Sequence, residues 1–147
     1  MRLMLVFCLM SGGIMTSVKA DQAQTVVVNV TDINVTKTGN IMVMLFGKEG
    51  FPKKHQKALQ VKTLPVQQTE ITVKFVTEVE RVAIKVLHDE DKNGQVTKDW
   101  TGIIPAEGLG FSNGAKLSWR GAPTFKGAAF DTQTSPTYVS IPVIYPN

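Results

Sequence analysis

The chain of 147 residues has one cysteine, Cys8, and two histidines, His55 and His88. A single thiol excludes a disulfide framework and any multi-thiolate zinc site, and two imidazoles far apart in sequence leave little for a zinc enzyme. Charge is also sparse, at 19% of residues, with 16 basic against 12 acidic side chains. No dense Lys/Arg stripe forms, so the electrostatic footprint of a nucleic-acid binder is missing. No stretch holds a sustained helical period, and no internal repeat appears. What is present is 43% apolar residues punctuated by 12 Gly and 7 Pro. That composition belongs to a globular chain with a real core, not to a disordered polyelectrolyte or a collagen-like repeat.

Arg2 precedes the apolar run Leu3 to Met10, and small and polar residues follow it, ending Ser17-Val18-Lys19-Ala20. This pattern predicts a signal peptide over residues 1–20, with Val18 and Ala20 as the small residues that direct cleavage before Asp21. The apolar run is too short to cross a hydrocarbon core of about 30 Å, so no stable membrane span is expected after cleavage. Cys8 lies inside the run and away from the cleavage point, which does not suit a lipid anchor. Removing Arg2 and Lys19 leaves 14 basic against 12 acidic residues in a mature chain without any thiol. Cysteine catalysis is thereby excluded, and a periplasmic or secreted location is expected. The local cluster Lys53, Lys54, His55 and Lys57 reads as a solvated loop, with an anion or membrane patch as its alternative.

Beyond the leader, Val26, Val28 and Val30 share one face of a predicted strand, and Ile33 and Val35 continue out of phase, which requires a bend near Asp32. Ile41 to Phe46 is a fully apolar run between Gly39-Asn40 and Gly47, the pattern of a central strand covered on both faces. Leu59 to Val61, Ile71 to Phe75 and Val82 to Leu87 supply further strands. Val139, Ile141 and Val143 alternate near the C-terminus, where Pro142, lacking an N–H, demotes that run to a sheet edge. Together these predict a single all-β domain over residues 21–147, an antiparallel β-sandwich of immunoglobulin-like or transthyretin-like type. Residues 88–136 form a long irregular segment, the expected seat of any function.

After the strand Val82 to Leu87 comes His88-Asp89-Glu90-Asp91-Lys92-Asn93-Gly94. Asp89, Asp91 and Asn93 fall at spacings one, three and five with Gly94 at six, an arrangement that wraps oxygen ligands around Ca2+. Position twelve holds Trp100 in place of a bidentate Glu, and the flanks are not helical, so an EF-hand is rejected. A strand-flanked Ca2+ loop of Asp89, Asp91, Asn93 and Asp99 stands against a plain polar turn in which Asn93-Gly94 reverses the chain.

That acidic run, together with Gly102-Ile-Ile-Pro105-Ala-Glu107-Gly108-Leu-Gly110-Phe-Ser-Asn113, Pro123-Thr-Phe125 and Ala128-Ala-Phe130, resembles the bacterial family called domain of unknown function 2141. The earlier Gly39 to Phe46 and Gly50-Phe-Pro52 fit the same pattern, so the resemblance covers roughly residues 24–145. It implies an exported β-sandwich and brings no established activity. Two departures stand out: Val79-Glu80-Arg81-Val82 replaces a usual Gly-Xaa-Tyr, and Thr97 stands where Asp is frequent, which removes one oxygen charge from any metal site.

The side chains of this segment admit two uses. A cell-envelope hydrolase acting on glycan or peptide would take His88 as base, with Asp89 or Glu107 orienting it and Ser112 as nucleophile. However, Ser112 lacks the nucleophile-elbow spacing, and Asn113 occupies the neighbouring position. The competing reading makes His88, Glu107, Ser112 and Asn113 loop anchors bonded to backbone, with completion of a cation site as the alternative for Glu107. Trp100, Phe111, Trp119, Phe125 and Phe130 are expected to form a satellite core under the loops, with ring stacking on sugars as the alternative. The expectation is therefore an exported, non-enzymatic binding or scaffolding module with a weak Ca2+ loop, whose partner is an envelope protein or glycan.

Overall fold

The alternation of β-branched valines with Val27 and Asn29 makes β1 (Gln24–Thr31) extended and one-sided, with Val26, Val28 and Val30 fully buried. Asp32 then takes a left-handed φ of 58°. The face of the chain switches there, so Ile33 is buried while Val35 is exposed. This computed structural model describes residues 22–147; the expected signal peptide and its cleavage point lie outside the described residues. Among the described residues the remaining strands are β2 (Asn40–Phe46), β3 (Gln60–Pro65), β4 (Ile71–Thr77), β5 (Arg81–Asp89), β6 (Gly108–Phe111), β7 (Phe130–Asp131) and β8 (Thr137–Pro142), with one short α-helix, α1 (Phe125–Ala128), and single 3-10 turns at His55–Lys57 and Ser112–Gly114.

One sheet has the order β4-β1-β8 and the other β3-β2-β5-β6, with β7 also paired to β5. The chain is an all-β sandwich in which antiparallel pairing dominates. One pair departs from that rule, because β8 runs parallel to β1. As its proline requires, β8 lies at a sheet edge. Between the sheets, Val28 and Val73 meet Val43, Leu45 and Ile84 in the main core. The apolar run of β2 is covered on both faces, since Met44 and Phe46 point the other way into a second cluster with Leu87, Leu109 and Phe111.

That second cluster is roofed by loops. Phe51 packs edge-to-face on Phe46, Phe111 and Phe125 at centroid separations of 5.5, 6.2 and 6.1 Å. The satellite core thus exists, but Phe130 packs against the main core instead and neither tryptophan belongs to it: Trp100 is 96% and Trp119 89% exposed. Both sit at the tips of tight turns, one closed by Gly102 N–H on Asp99 C=O and the other by the Ser118–Gly121 backbone pair. Tip residues of such turns face outward.

The segment expected to be irregular also contributes β6, whose four residues are all buried. Its glycines admit close neighbours: a Cβ on Gly108 would lie 2.5 Å from the Tyr145 ring, and one on Gly110 2.7 Å from Ile141. Strand β5 pairs with β2, β6 and β7. Val82, Ile84 and Val86 enter the main core, while Leu87 lies in the second cluster and Lys85 pairs across the sheet with Met44 and Phe111. Among the described residues, no helix is long and apolar enough to cross a membrane.

Candidate functional site

The acidic turn begins where β5 ends. Asn93 N–H donates to Asp89 Oδ1 at 3.0 Å and Gly94 N–H to Asp89 Oδ2 at 2.9 Å. Asp91, exposed within that turn, accepts Asn93 N–H at 3.1 Å, the Asn93 side-chain amide at 2.9 Å and the Thr97 hydroxyl at 2.6 Å. The Asn93 side-chain oxygen turns away, to Gln95 N–H at 2.7 Å. A bridge between Lys98 and Pro105 folds the chain back, and Ala106 N–H donates to Thr97 C=O at 2.9 Å. This return brings Glu107 alongside. Its two oxygens accept Glu90 N–H and Thr97 N–H, each at 2.8 Å.

Three carboxylates therefore converge: one oxygen from each of Asp89, Asp91 and Glu107 lies within 4.8 Å of the others. Asp89 and Glu107 are buried and Asp91 is exposed. Burial pushes the Glu107 carboxyl up, the two N–H donors oppose this, and the charges of Asp91 and Asp89 add to the rise. Asp91 is held below its ordinary value, first by the Thr97 hydroxyl. These three are the residues that could hold a cation. Asp99, placed in the set by spacing alone, is not brought to them; its Oδ1 accepts Thr101 N–H at 3.1 Å and closes its own turn. Asn93 braces Asp91, and Trp100 projects into solvent.

His88 is fully buried. Its Nε2 lies 2.9 Å from Thr38 C=O, an acceptor, so this nitrogen carries the proton. Nδ1 then accepts the Tyr145 hydroxyl at 2.7 Å, and that hydroxyl in turn accepts Asn34 N–H at 2.9 Å. Both ring nitrogens are committed. Ser112, also buried, accepts Ile84 N–H at 2.8 Å and donates to Ala128 C=O at 2.6 Å, tying α1 to β5. Asn113 donates to Gly127 C=O at 3.1 Å on the same helix. Each of these groups holds a loop to the sandwich, and none reaches another in a nucleophile–base pair.

A groove of about 770 Å³ opens beside the acidic turn, over the second apolar cluster. At its floor lies a residue that the sequence reading passed over, Lys85, only 4% exposed. Its Nζ donates to Pro52 C=O at 3.0 Å and to His55 Nε2 at 2.8 Å. His55 Nδ1 therefore carries the ring proton, donated to Gly94 C=O at 2.9 Å. The basic cluster is thus not uniformly solvated: His55 is buried, while Lys57 pairs with Glu49 at 2.8 Å in solvent. Burial brings the Lys85 ammonium down to about 8. Burial, followed by the charge of Lys85, also lowers His55. One signal for this site was visible in the sequence: a single lysine interrupts the apolar run Val82-Ala-Ile-Lys-Val-Leu87.

A family described as an uncharacterized protein conserved in bacteria matches residues 28–140. No curated protein and no solved structure matches the chain.

Proposed function

Since the chain belongs to the domain of unknown function 2141 family, whose description names no activity, we propose from its side chains that it is a non-catalytic binding module of the bacterial envelope, periplasmic or secreted. One observation carries this reading. The groups a hydrolase would need are consumed in holding loops: His88 by Thr38 and Tyr145, Glu107 by two backbone N–H groups, Ser112 by Ile84 and Ala128. A general base requires a nitrogen or oxygen within reach of a substrate proton, and these atoms are occupied by backbone groups or, at His88 Nδ1, by the Tyr145 hydroxyl. The test is incubation of the purified protein with peptidoglycan fragments and unstructured peptides, followed by mass spectrometry. No cleavage is expected; turnover that His88→Gln abolishes would establish the hydrolase in its place. N-terminal sequencing of protein from the envelope fraction should begin at Asp21, and retention of Met1 would refute export.

The convergence of Asp89, Asp91 and Glu107 favours a second, compatible reading, a weak Ca2+ site in the acidic turn. Oxygen ligands of three carboxylates suit a hard cation, and its charge would relieve their mutual repulsion. Because no bidentate Glu occupies position twelve, the dissociation constant is expected on the order of 0.1–1 mM. Thermal unfolding in EDTA and in millimolar Ca2+ tests this. The parent should melt higher with calcium, and Asp91→Asn, at the exposed ligand, should reduce the difference. Identical melting of the parent in both conditions would leave the turn as a structural device only.

A further inference from the structure

Lys85 is a cation in apolar surroundings. It sits in mid-strand on β5, paired across the sheet with Met44 and Phe111, and is 4% exposed. An ammonium has three N–H donors, and two are used, on Pro52 C=O and His55 Nε2. Among the described residues, no carboxylate lies within ion-pair distance of Nζ. A desolvated charge without a counter-charge is strongly unfavourable, and a fold that needed only packing there would place Leu or Met. At neutral pH the group remains mostly cationic, since it titrates at about 8.

The groove above this ammonium is amphipathic. Lys53 and Lys98 line it and add to the positive field, whereas Ile103, Ile104, Leu117 and Trp119 give it exposed apolar walls. Its volume of about 770 Å³ lies within the usual range for small-molecule sites. A smaller, apolar depression of about 260 Å³ shares Ile104 and Leu117 with it and runs on to Tyr145. Exposed apolar side chains gathered around a buried, unbalanced cation are the complement of a molecule with one acid group and an apolar body.

We propose that this groove binds an amphipathic organic carboxylate, its acid accepting the remaining Lys85 N–H and its apolar body lying on Ile104, Leu117 and Trp119. The inference rests on the binding function above and names its ligand class. One uncommitted donor and one buried positive charge match a monoanion, since Lys53 and Lys98 are exposed to solvent at the groove; a dianion would carry a second charge into apolar surroundings. The Lys85–His55 contact orients the ammonium, and the neutral ring leaves its charge available to the ligand.

Calorimetric titration of the full chain with dodecanoate tests this, with dodecanol as the uncharged molecule of equal chain length. Dodecanoate should bind at one site, with dodecanol weaker by about tenfold or more, as for loss of a charged hydrogen bond. Lys85→Met should lose the preference for the acid while keeping the alcohol's affinity, and should melt higher than the parent. Equal affinity for acid and alcohol, no binding of the acid, or undiminished acid binding by folded Lys85→Met would each overturn the proposal. The acid–alcohol comparison needs only the parent chain, so it holds even if the variant misfolds. Turnover of glycan or peptide would instead overturn the non-catalytic reading, and the two failures are thus told apart.

Discussion

Lys85 donates to His55 across 2.8 Å, a hydrogen bond between two side chains that are both cationic when protonated. It exists only while His55 Nε2 is bare, a state favoured by the Nδ1 proton's bond to Gly94 C=O. Acid that protonates His55 Nε2 therefore breaks this contact at the groove floor.

Stability should rise with pH in two windows. Both groups titrate lower in the folded chain than in the unfolded one: His55 below its ordinary 6.5, and Lys85 at about 8 against 10.5. In each window the unfolded chain holds more protons, so stability is lost as pH falls through 6.5 and is gained as it rises from 8 towards 10.5. The upper gain is at most about 3 kcal/mol, from a shift of roughly two and a half units at 1.36 kcal/mol each. Urea midpoints of the parent and of Lys85→Met at pH 7 to 10 should converge as the pH rises. A constant difference would refute the depressed ammonium.

Glu107→Gln should loosen the acidic turn. The amide offers one acceptor where the carboxylate offers two, and its NH2 would face an N–H donor, at either Glu90 or Thr97. A loss of about 1–3 kcal/mol is expected. Hydrogen exchange at those two amides should quicken more than at β2, whereas uniform acceleration would mean that the residue supports the whole fold.

Tyr145→Phe removes a hydroxyl that accepts Asn34 N–H and donates to buried His88, leaving two polar groups unpaired. A fall of about 1–3 kcal/mol in denaturant stability should follow. Gly108→Ala should produce the same loss of His88 pairing, because its Cβ would enter the Tyr145 ring at 2.5 Å. Near-parental stability of both variants would show that this network contributes little.

Leu45→Ala opens a void at a fully buried position of the main core. About 2–5 kcal/mol should be lost, read as a lower urea midpoint with unchanged slope. A midpoint equal to the parent's would contradict the central placement of β2.

The sandwich was legible where side chains alternate. Val26, Val28 and Val30, the apolar run of β2, and the edge position of the strand bearing Pro142 all follow from local pattern. Pairing partners do not, so the parallel contact of β8 with β1 had no local trace. Strand β6 was hidden for a different reason: Gly-Leu-Gly-Phe reads as loop, and its glycines are explained only by Tyr145 and Ile141 packed against them. At the acidic turn, linear spacing picked Asp89 and Asp91 and left Glu107 as an alternative ligand, but could not see the hairpin that carries Asp99 away and returns Glu107. Lys85 was masked by the strand that buries it, since a lone lysine in an apolar run ordinarily marks an exposed face.

Gly94 joins the two halves of this region. Its backbone has a φ of 74°, which favours glycine; its N–H is held by Asp89 and its C=O by His55, which in turn holds Lys85. Three hydrogen bonds thus form a short relay from the acidic turn to the groove floor. The ion proposed at the turn and the anion proposed at the ammonium would both act through this residue. Such effectors are thermodynamically reciprocal: whatever factor one exerts on the other's affinity is returned in equal measure.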